Sequence, residues 1–67
     1  MKVTKLETLR REQGISKAEL ARRAEVQPNL VTWVEQGRFV PYPSQLEKLA
    51  DALGVDDAGT LLDTVEV

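Results

Sequence analysis

The sequence contains neither cysteine nor histidine. These absences exclude disulfides, thiolate nucleophiles and the commonest ligands of transition metals. There is also no run of about 18 apolar residues, which a membrane-spanning helix requires, and the first 11 residues lack the apolar segment of a signal peptide. We therefore expect a cytoplasmic protein that uses no metal and no other cofactor.

Groups suited to catalysis are scarce as well. The chain has no glycine-rich phosphate-binding loop, and its 67 residues are too few to enclose a deep pocket. Asp56 and Asp57 are adjacent in sequence, so their side chains diverge, and a role as a helix cap accounts for at least one of them. We therefore expect that the protein is not an enzyme.

A chain of 67 residues is long enough for one domain, with a small core that depends on close helix packing or on a partner. No linker, internal repeat or low-complexity segment divides it. We assign residues 1–67 to a single domain, and the starting Met1 and the compact end favour an entire protein over an excised domain.

The net charge of −2 is unevenly distributed along the chain. Up to Arg38 there are eight basic and five acidic residues, a local charge of +3. Beyond Arg38, Lys48 is the only base beside six acids, a local charge of −5. Because a polyanion responds to the local field, the first part of the chain can face nucleic acid. An ordinary mixed-charge helical surface would have the same composition.

Residues 15–37 predict two short helices packed around a turn. Ser16 is placed to cap the first helix, and Glu19 is the residue that would complete a capping box. Residues 25–27 break the pattern, Pro28 suits the first turn of the second helix, and Gly37 suits a left-handed end.

The two helices differ in their apolar surface. The first has Leu20, Ala21 and Ala24 on its inner side, whereas the second has Val31 and Val34. The second helix therefore directs amide, hydroxyl and indole groups outward, which indicates a surface that recognises another molecule. The outward residues are Gln27, Pro28, Asn29, Thr32 and Trp33.

A further helix is predicted before this unit, over residues 4–13. Leu6 and Leu9 lie on one side of it. Gly14 then suits a left-handed helix end, and Ile15 is the apolar residue that packs back over that end.

Two more helices are predicted after the unit. Residues 38–43 contain two prolines and predict a loop, after which Ser44 would cap a fourth helix with Glu47 as its capping-box partner. Gly54 would end this helix and Val55 would fold back over it.

A short fifth helix, capped by Asp56 or Asp57, would contain Leu61 and Leu62. Residues 64–67 alternate polar and apolar side chains, which suits a frayed helix end or a short extended edge. The predicted fold class is all-α, a compact bundle of five short helices.

The order and spacing of these features resemble one family, the lambda-repressor/Cro-like helix-turn-helix domains, also called Xre-type regulators. The resemblance covers residues 6–62, with the helix-turn-helix unit at about residues 16–37. It rests on LETLRREQGISKAELA at residues 6–21, on Val26 and Val31, on VEQG at residues 34–37 and on LADALGV at residues 49–55.

The resemblance implies that the third helix lies in the major groove of DNA and that the second crosses the backbone. Residues on the outer side of the third helix would then contact bases, and the amides of Gln27 and Asn29 can pair with an adenine edge. Lys17 and Arg38 would contact phosphates. The base-contacting set is Gln27, Pro28, Asn29, Thr32 and Trp33.

Simpler roles remain open for several of these residues. Gln27 and Asn29 can cap the third helix through their side-chain oxygens. Arg22 and Arg23 can be solvated surface charges. Trp33 can be a buried anchor, a contact to a partner protein or a residue that faces DNA.

The resemblance also implies an ion pair between Arg10 and Glu35, with a role in specifying the fold rather than in chemistry. One departure from the family is Glu25, which stands where the family usually has glycine in a left-handed conformation. A residue with a Cβ atom costs about 1 kcal/mol there.

The loop at residues 38–43 contains bulky groups and few bases. Its Phe39, Val40 and Tyr42 can fold back on the core. Alternatively, they form a two-fold dimer patch together with Leu61, Val65 and Val67.

The function predicted from the sequence is a sequence-specific DNA-binding transcriptional regulator, a repressor that acts as a homodimer by occupying its operator. A Cro-like repressor, a regulator of a mobile element and an antitoxin that represses its own operon would share these features. The alternative is an antitoxin-like or degenerate helix-turn-helix protein-interaction module with weak or no DNA binding. The expected partners are double-stranded DNA, a second copy of the chain and, in the alternative, another protein.

Overall fold

The computed structural model describes residues 1–66, and Val67 lies outside the described residues. The helices are α1 (Lys5–Glu12), α2 (Lys17–Ala24), α3 (Pro28–Glu35) and α4 (Pro43–Leu53), followed by a 3₁₀ helix (Ala58–Leu62). Two short strands, β1 (Lys2–Thr4) and β2 (Thr64–Glu66), pair in an antiparallel sheet.

The first two helices begin at side-chain caps. The Oγ1 atom of Thr4 accepts a hydrogen bond from the backbone N–H of Glu7 at 3.2 Å, so α1 begins one residue after the predicted start. The Oγ atom of Ser16 accepts from the N–H of Glu19 at 3.0 Å. Each cap satisfies a helix N–H group that has no partner within the helix, and the predicted cap at Ser16 is confirmed.

The ends of α1 and α4 follow the predicted pattern, in which a left-handed glycine is followed by an apolar residue that packs back over the helix end. Gly14 has φ of 69°, and the N–H of Ile15 donates to the Arg10 carbonyl at 3.2 Å. Gly54 has φ of 75°, and the N–H of Val55 donates to the Ala50 carbonyl at 2.9 Å. These bonds satisfy carbonyl groups of the last helical turn.

The start of α4 differs from the prediction of a capping box at Ser44 and Glu47. The helix begins at Pro43, with Tyr42 as its N-cap residue. Proline is favourable at this first position because its fixed φ suits the helix and its missing N–H needs no partner. The side-chain oxygen of Gln45 accepts from the N–H of Tyr42 at 3.0 Å.

The predicted all-α fold class is wrong in part, because the fold also contains a two-stranded sheet formed by residues near both ends of the chain. The predicted fifth helix is a 3₁₀ helix in which the Asp57 carboxylate accepts from the N–H of Gly59 at 3.1 Å. The extended edge allowed for the tail is strand β2, in which Val65 pairs with Val3. This sheet could not be deduced from three-residue segments because pairing partners distant in sequence are selected by the packing of the whole chain.

The core lies where α2 packs against α3 and α4, with the 3₁₀ helix packed on α1 and α4. Leu6, Leu20, Val31, Leu49 and Leu61 have no exposed surface. The prediction that Leu61 belongs to a dimer patch is wrong because its side chain fills the core beneath the 3₁₀ helix.

The side chain of Gln13 joins the ends of two helices. Its Nε2 donates to the carbonyl oxygen of Leu53 at 2.7 Å, and Leu53 is the last residue of α4. The described residues contain no helix long and apolar enough to span a membrane; the longest has 11 residues.

Candidate nucleic-acid interface

The turn between α2 and α3 is built around a left-handed residue. Glu25 has φ of 58° and ψ of 43°, and its N–H and that of Val26 donate to carbonyl groups of α2. This conformation is the one expected for glycine at the same position, and an L-residue adopts it only at a cost in free energy. The turn at this residue separates α2 from α3.

Helix α3 has distinct inner and outer sides. Leu30, Val31 and Val34 are buried against the core. Val31 and Val34 are on the predicted inner side, and Leu30 was not identified from the sequence. The outer side carries the exposed residues Gln27, Pro28, Asn29 and Trp33 and the half-buried Thr32.

Gln27 is the N-cap residue of α3, but its side chain makes no capping hydrogen bond. The alternative that Gln27 caps the helix through its side-chain oxygen is therefore wrong, since Pro28 at the first position already removes one unpaired N–H. Asn29, in the first turn of α3, is exposed. Both residues lie where another molecule can reach their amides.

Trp33 is 42% exposed, so it is not a fully buried anchor. Its carbonyl oxygen accepts the N–H of Arg38 at 2.9 Å, a bond that closes the end of α3 at Gly37. Arg38 itself is exposed directly after this end.

Lys17 is the first residue of α2 and is half-buried, while the other bases of α2 are engaged by one acid. Glu19 Oε2 lies 2.5 Å from an Nη atom of Arg22 and 2.7 Å from Nε of Arg23. The hydrogen bonds from Arg22 and then from Arg23 lower the pKa of Glu19, and the same contact raises the pKa of Arg22. Glu19 thus offsets the positive charge at the end of α2.

The structure brings Arg10 and Glu35 together at the back of α3. Arg10 Nε lies 2.7 Å from Glu35 Oε2, and the side chains are only 10% and 1% exposed. An Nη group of Arg10 also donates to the carbonyl oxygen of Ile15 at 2.9 Å. This pair connects α1, the segment before α2, and the last turn of α3.

A groove of about 490 Å³ runs along one flank of α3. We call it the Trp33 groove. Its lining includes apolar and polar or charged residues: Val26, Leu30, Trp33 and Phe39, and Glu25, Gln27, Gln45 and Lys48. Lys48 and Gln45 were not identified as site residues from the sequence, because α4 reaches this groove only through its packing against α2.

The remaining members of the predicted dimer patch differ in how far their side chains are exposed. Val40 and Tyr42 are 75% and 69% exposed. Phe39 is half-buried against the core, which is the alternative role proposed for it. Val65 is half-buried in the sheet, and Val67 lies outside the described residues.

Comparison with known families identifies the chain over most of its length. The helix-turn-helix domain family matches residues 3–62. No curated protein and no solved structure matches the chain. The matched span contains all four α-helices, the left-handed turn and the exposed side of α3. The chain therefore belongs to the helix-turn-helix family of the Cro/C1 (Xre-like) type, a family of DNA-binding domains rather than of enzymes.

Proposed function

We propose that this protein is a sequence-specific DNA-binding transcriptional regulator that represses by occupying its operator as a homodimer in the cytoplasm. The observation that carries the proposal is the exposed outer side of α3, which has amide and indole groups and no acidic residue in its first turn. A helix-turn-helix family member uses this helix in the major groove.

Base recognition is assigned to Gln27, Pro28, Asn29, Thr32 and Trp33. An asparagine or glutamine amide can donate to N7 and accept from N6 of adenine in a bidentate pair, which contributes about 1–3 kcal/mol of discrimination. Asn29 and Gln27 are exposed, and Gln27 makes no capping bond that would occupy its amide. Thr32 can accept a hydrogen bond or contact a thymine methyl group.

Phosphate contacts are assigned to Lys17 and Arg38. Lys17 is at the first position of α2, where the helix N-terminus also favours an anion. Arg38 follows the C-terminal end of α3 and is exposed. Arg22 and Arg23 contribute less because Glu19 already engages both of them.

In this proposal a dimer carries out the repression. Two copies related by a two-fold axis would present their α3 helices about 34 Å apart, which is one turn of DNA. The exposed apolar side chains of Val40 and Tyr42 supply a surface for that contact. The simplest mechanism is then exclusion of polymerase from the occupied operator.

The experiment that tests this proposal is selection of bound duplexes from a random pool. We expect a pseudopalindrome, with affinity that falls steeply with salt because phosphate contacts release counterions. Selection of no sequence, together with no salt-dependent retention on random DNA, would contradict the proposal.

The assigned roles predict different effects for two substitutions. Asn29→Ala should relax the base preference at one position by about 1–3 kcal/mol, whereas Lys17→Ala should weaken all sites equally and reduce the salt slope by about 0.9. Both effects are measurable by fluorescence anisotropy with the selected site and a single-base variant of it. Wild-type binding by both variants at both sites would show that the assignment is wrong.

A protein-interaction module is the second candidate function. The exposed Val40 and Tyr42 and the net charge of −2 favour it. In that case the salt-dependent binding to DNA would be absent. Substitutions at Val40 and Tyr42, rather than at Asn29, would abolish binding of the protein partner.

A further inference from the structure

The Trp33 groove connects the base-contacting side of α3 with α4. Gln27 and Trp33 line it from α3 and its N-cap, and Gln45 and Lys48 line it from the facing side of α4. A strand that lies in this groove would therefore meet these α4 residues. None of the roles assigned above uses them.

Lys48 is the only basic residue after Arg38, in the part of the chain that is otherwise acidic. No ion pair with Lys48 is present among residues 1–66, in contrast to Arg22 and Arg23. Its ammonium group is available to an anion at the place where the acidic part of the chain borders α3.

Gln45 adds a second donor, from the same helix as Lys48. Its side-chain oxygen accepts the N–H of Tyr42 at 3.0 Å, which leaves its amide NH₂ group as the part that can bind a ligand. A cation and an amide donor beside a partly exposed indole match a sugar–phosphate unit, which has charged oxygens and an apolar sugar edge.

We propose that one DNA strand lies in the Trp33 groove, with a phosphate bound by Lys48 and Gln45 and a deoxyribose against the indole of Trp33. This inference rests on the proposed function and extends it to a contact on the flank of α3. It adds to the base contact assigned to Trp33 a sugar contact that is independent of base sequence, and it makes Lys48 a phosphate contact from α4.

Glu25 lines the same groove, and its negative charge allows a test with the opposite expected effect on DNA affinity. Its carboxylate repels a phosphate in the groove, so removal of its charge should act in the opposite direction to removal of the charge of Lys48. Glu25→Gln keeps the size and the backbone requirement of the side chain while removing the charge.

The experiment uses the duplex selected from the random pool and measures affinity against salt concentration. Lys48→Ala should weaken binding and reduce the salt slope by about 0.9, the value for one phosphate contact. Glu25→Gln should tighten binding. Lys2→Ala is the matched control, because it changes the net charge equally but lies on β1, which is not part of the groove.

A second readout uses Trp33, the only tryptophan of the chain. Bound duplex should protect it from quenching by acrylamide, a neutral quencher whose local concentration DNA does not change by charge. Protection together with a loss of slope in Lys48→Ala but not in Lys2→Ala supports the inference.

Three outcomes overturn the inference and are distinguishable. If the duplex binds but Lys48→Ala matches Lys2→Ala, the strand does not occupy the groove while the proposed function stands. If the duplex binds but Trp33 stays as accessible as in the free protein, the inference fails and Trp33 also leaves the base-contacting set, while DNA binding stands. If no duplex binds at any salt concentration, the proposed function and this inference fail together.

Discussion

Arg10 makes hydrogen bonds to two separate parts of the chain through one guanidinium group. Two of its nitrogens contact the Glu35 carboxylate at 2.7 and 3.3 Å, and a third donates to the carbonyl oxygen of Ile15 at 2.9 Å. Such a bidentate contact is specific in its geometry. Because both side chains are enclosed, the value of the pair lies in avoiding an unpaired buried charge rather than in a large net attraction.

Arg10→Met should therefore destabilise the fold by about 3–5 kcal/mol, since Glu35 would remain buried without a partner. For a domain of this size, such a loss approaches the whole free energy of unfolding. Urea denaturation monitored by circular dichroism measures it.

The double variant Arg10→Met, Glu35→Leu is the control for this prediction. It removes both charges and should recover most of the lost stability, because replacement of a buried pair by apolar residues is often neutral or stabilising. An Arg10→Met variant as stable as the wild type would exclude the assigned role of the pair.

Glu25 is the only non-glycine residue with positive φ in the described chain, at 58°. Its Cβ atom makes this left-handed conformation unfavourable. Glu25→Gly should raise the free energy of unfolding by about 1 kcal/mol, visible as a higher urea midpoint with an unchanged m-value. The same variant with an unchanged or lower midpoint would mean that the turn carries no such strain.

Helix α2 combines a cap, a phosphate candidate and an intrahelical charge cluster within eight residues. Ser16 caps its N-terminus, and Glu19 bonds forward to Arg22 and Arg23 rather than back to Ser16 in a complete capping box. The acid near the N-terminus and the bases near the C-terminus both suit the helix dipole. The cluster therefore stabilises α2 itself, and Lys17 remains the base available to a ligand.

Glu19 gives this helix a pH dependence with a defined sign. Hydrogen bonds from Arg22 and Arg23 hold its pKa below the ordinary value of 4.5. The resulting stabilisation is present above pH 4.5 and is lost as the pH falls through the lowered pKa. Glu19→Gln should therefore be less stable than the wild type near neutral pH, and the difference should vanish in acid.

Thermal unfolding of both proteins as a function of pH tests this prediction. The double variant Arg22→Ala, Arg23→Ala removes the same ion pairs by deleting the partners of Glu19. It should show the same loss of stability near neutral pH. A constant difference between wild type and Glu19→Gln across the acid range would contradict the assignment.

Helix α3 obtains its position from its inner side and leaves its outer side available for function. Leu30, Val31 and Val34 bury it against the core, and Glu35 joins it to α1. Substitutions at exposed positions such as Asn29 should change stability by less than about 0.5 kcal/mol. Loss of DNA binding in those variants can then be interpreted as loss of contacts rather than of folding.

For the molecule as a whole, the arrangement of exposed apolar groups predicts how copies associate. Val40 and Tyr42 are exposed on the segment that leads from α3 to α4, whereas Leu61 is enclosed. The dimer contact is therefore expected to involve this segment and not the side chain of Leu61.

The double variant Val40→Ser, Tyr42→Ser should shift the protein toward monomer in sedimentation velocity. Its affinity for the pseudopalindromic site should fall, while its affinity for a half-site duplex should not change because the outer side of α3 is retained. A wild-type protein that remains monomeric at high concentration, with and without DNA, would contradict a dimeric mechanism.

The features that could be predicted from the sequence are those that depend on neighbouring residues. The cap at Ser16 and the glycine ends at Gly14 and Gly54 follow from local backbone chemistry. The left-handed conformation at Glu25 is implied only by the resemblance to the family, which usually has glycine there. The periodic apolar residues then predict which helix faces are inner. Because the apolar residues mark the inner side of a helix, the pattern of residues 27–34 also identifies the exposed side of α3.

The features that could not be predicted depend on contacts between distant segments. Pairing of β1 with β2, the burial of Leu61 and the hydrogen bond from Gln13 to Leu53 all join segments far apart in sequence. Lys48 has an ordinary local sequence, and only the packing of α4 against α2 brings it to the Trp33 groove. Local chemistry determines where helices begin and end, whereas the shared burial of apolar surface decides which of their side chains meet.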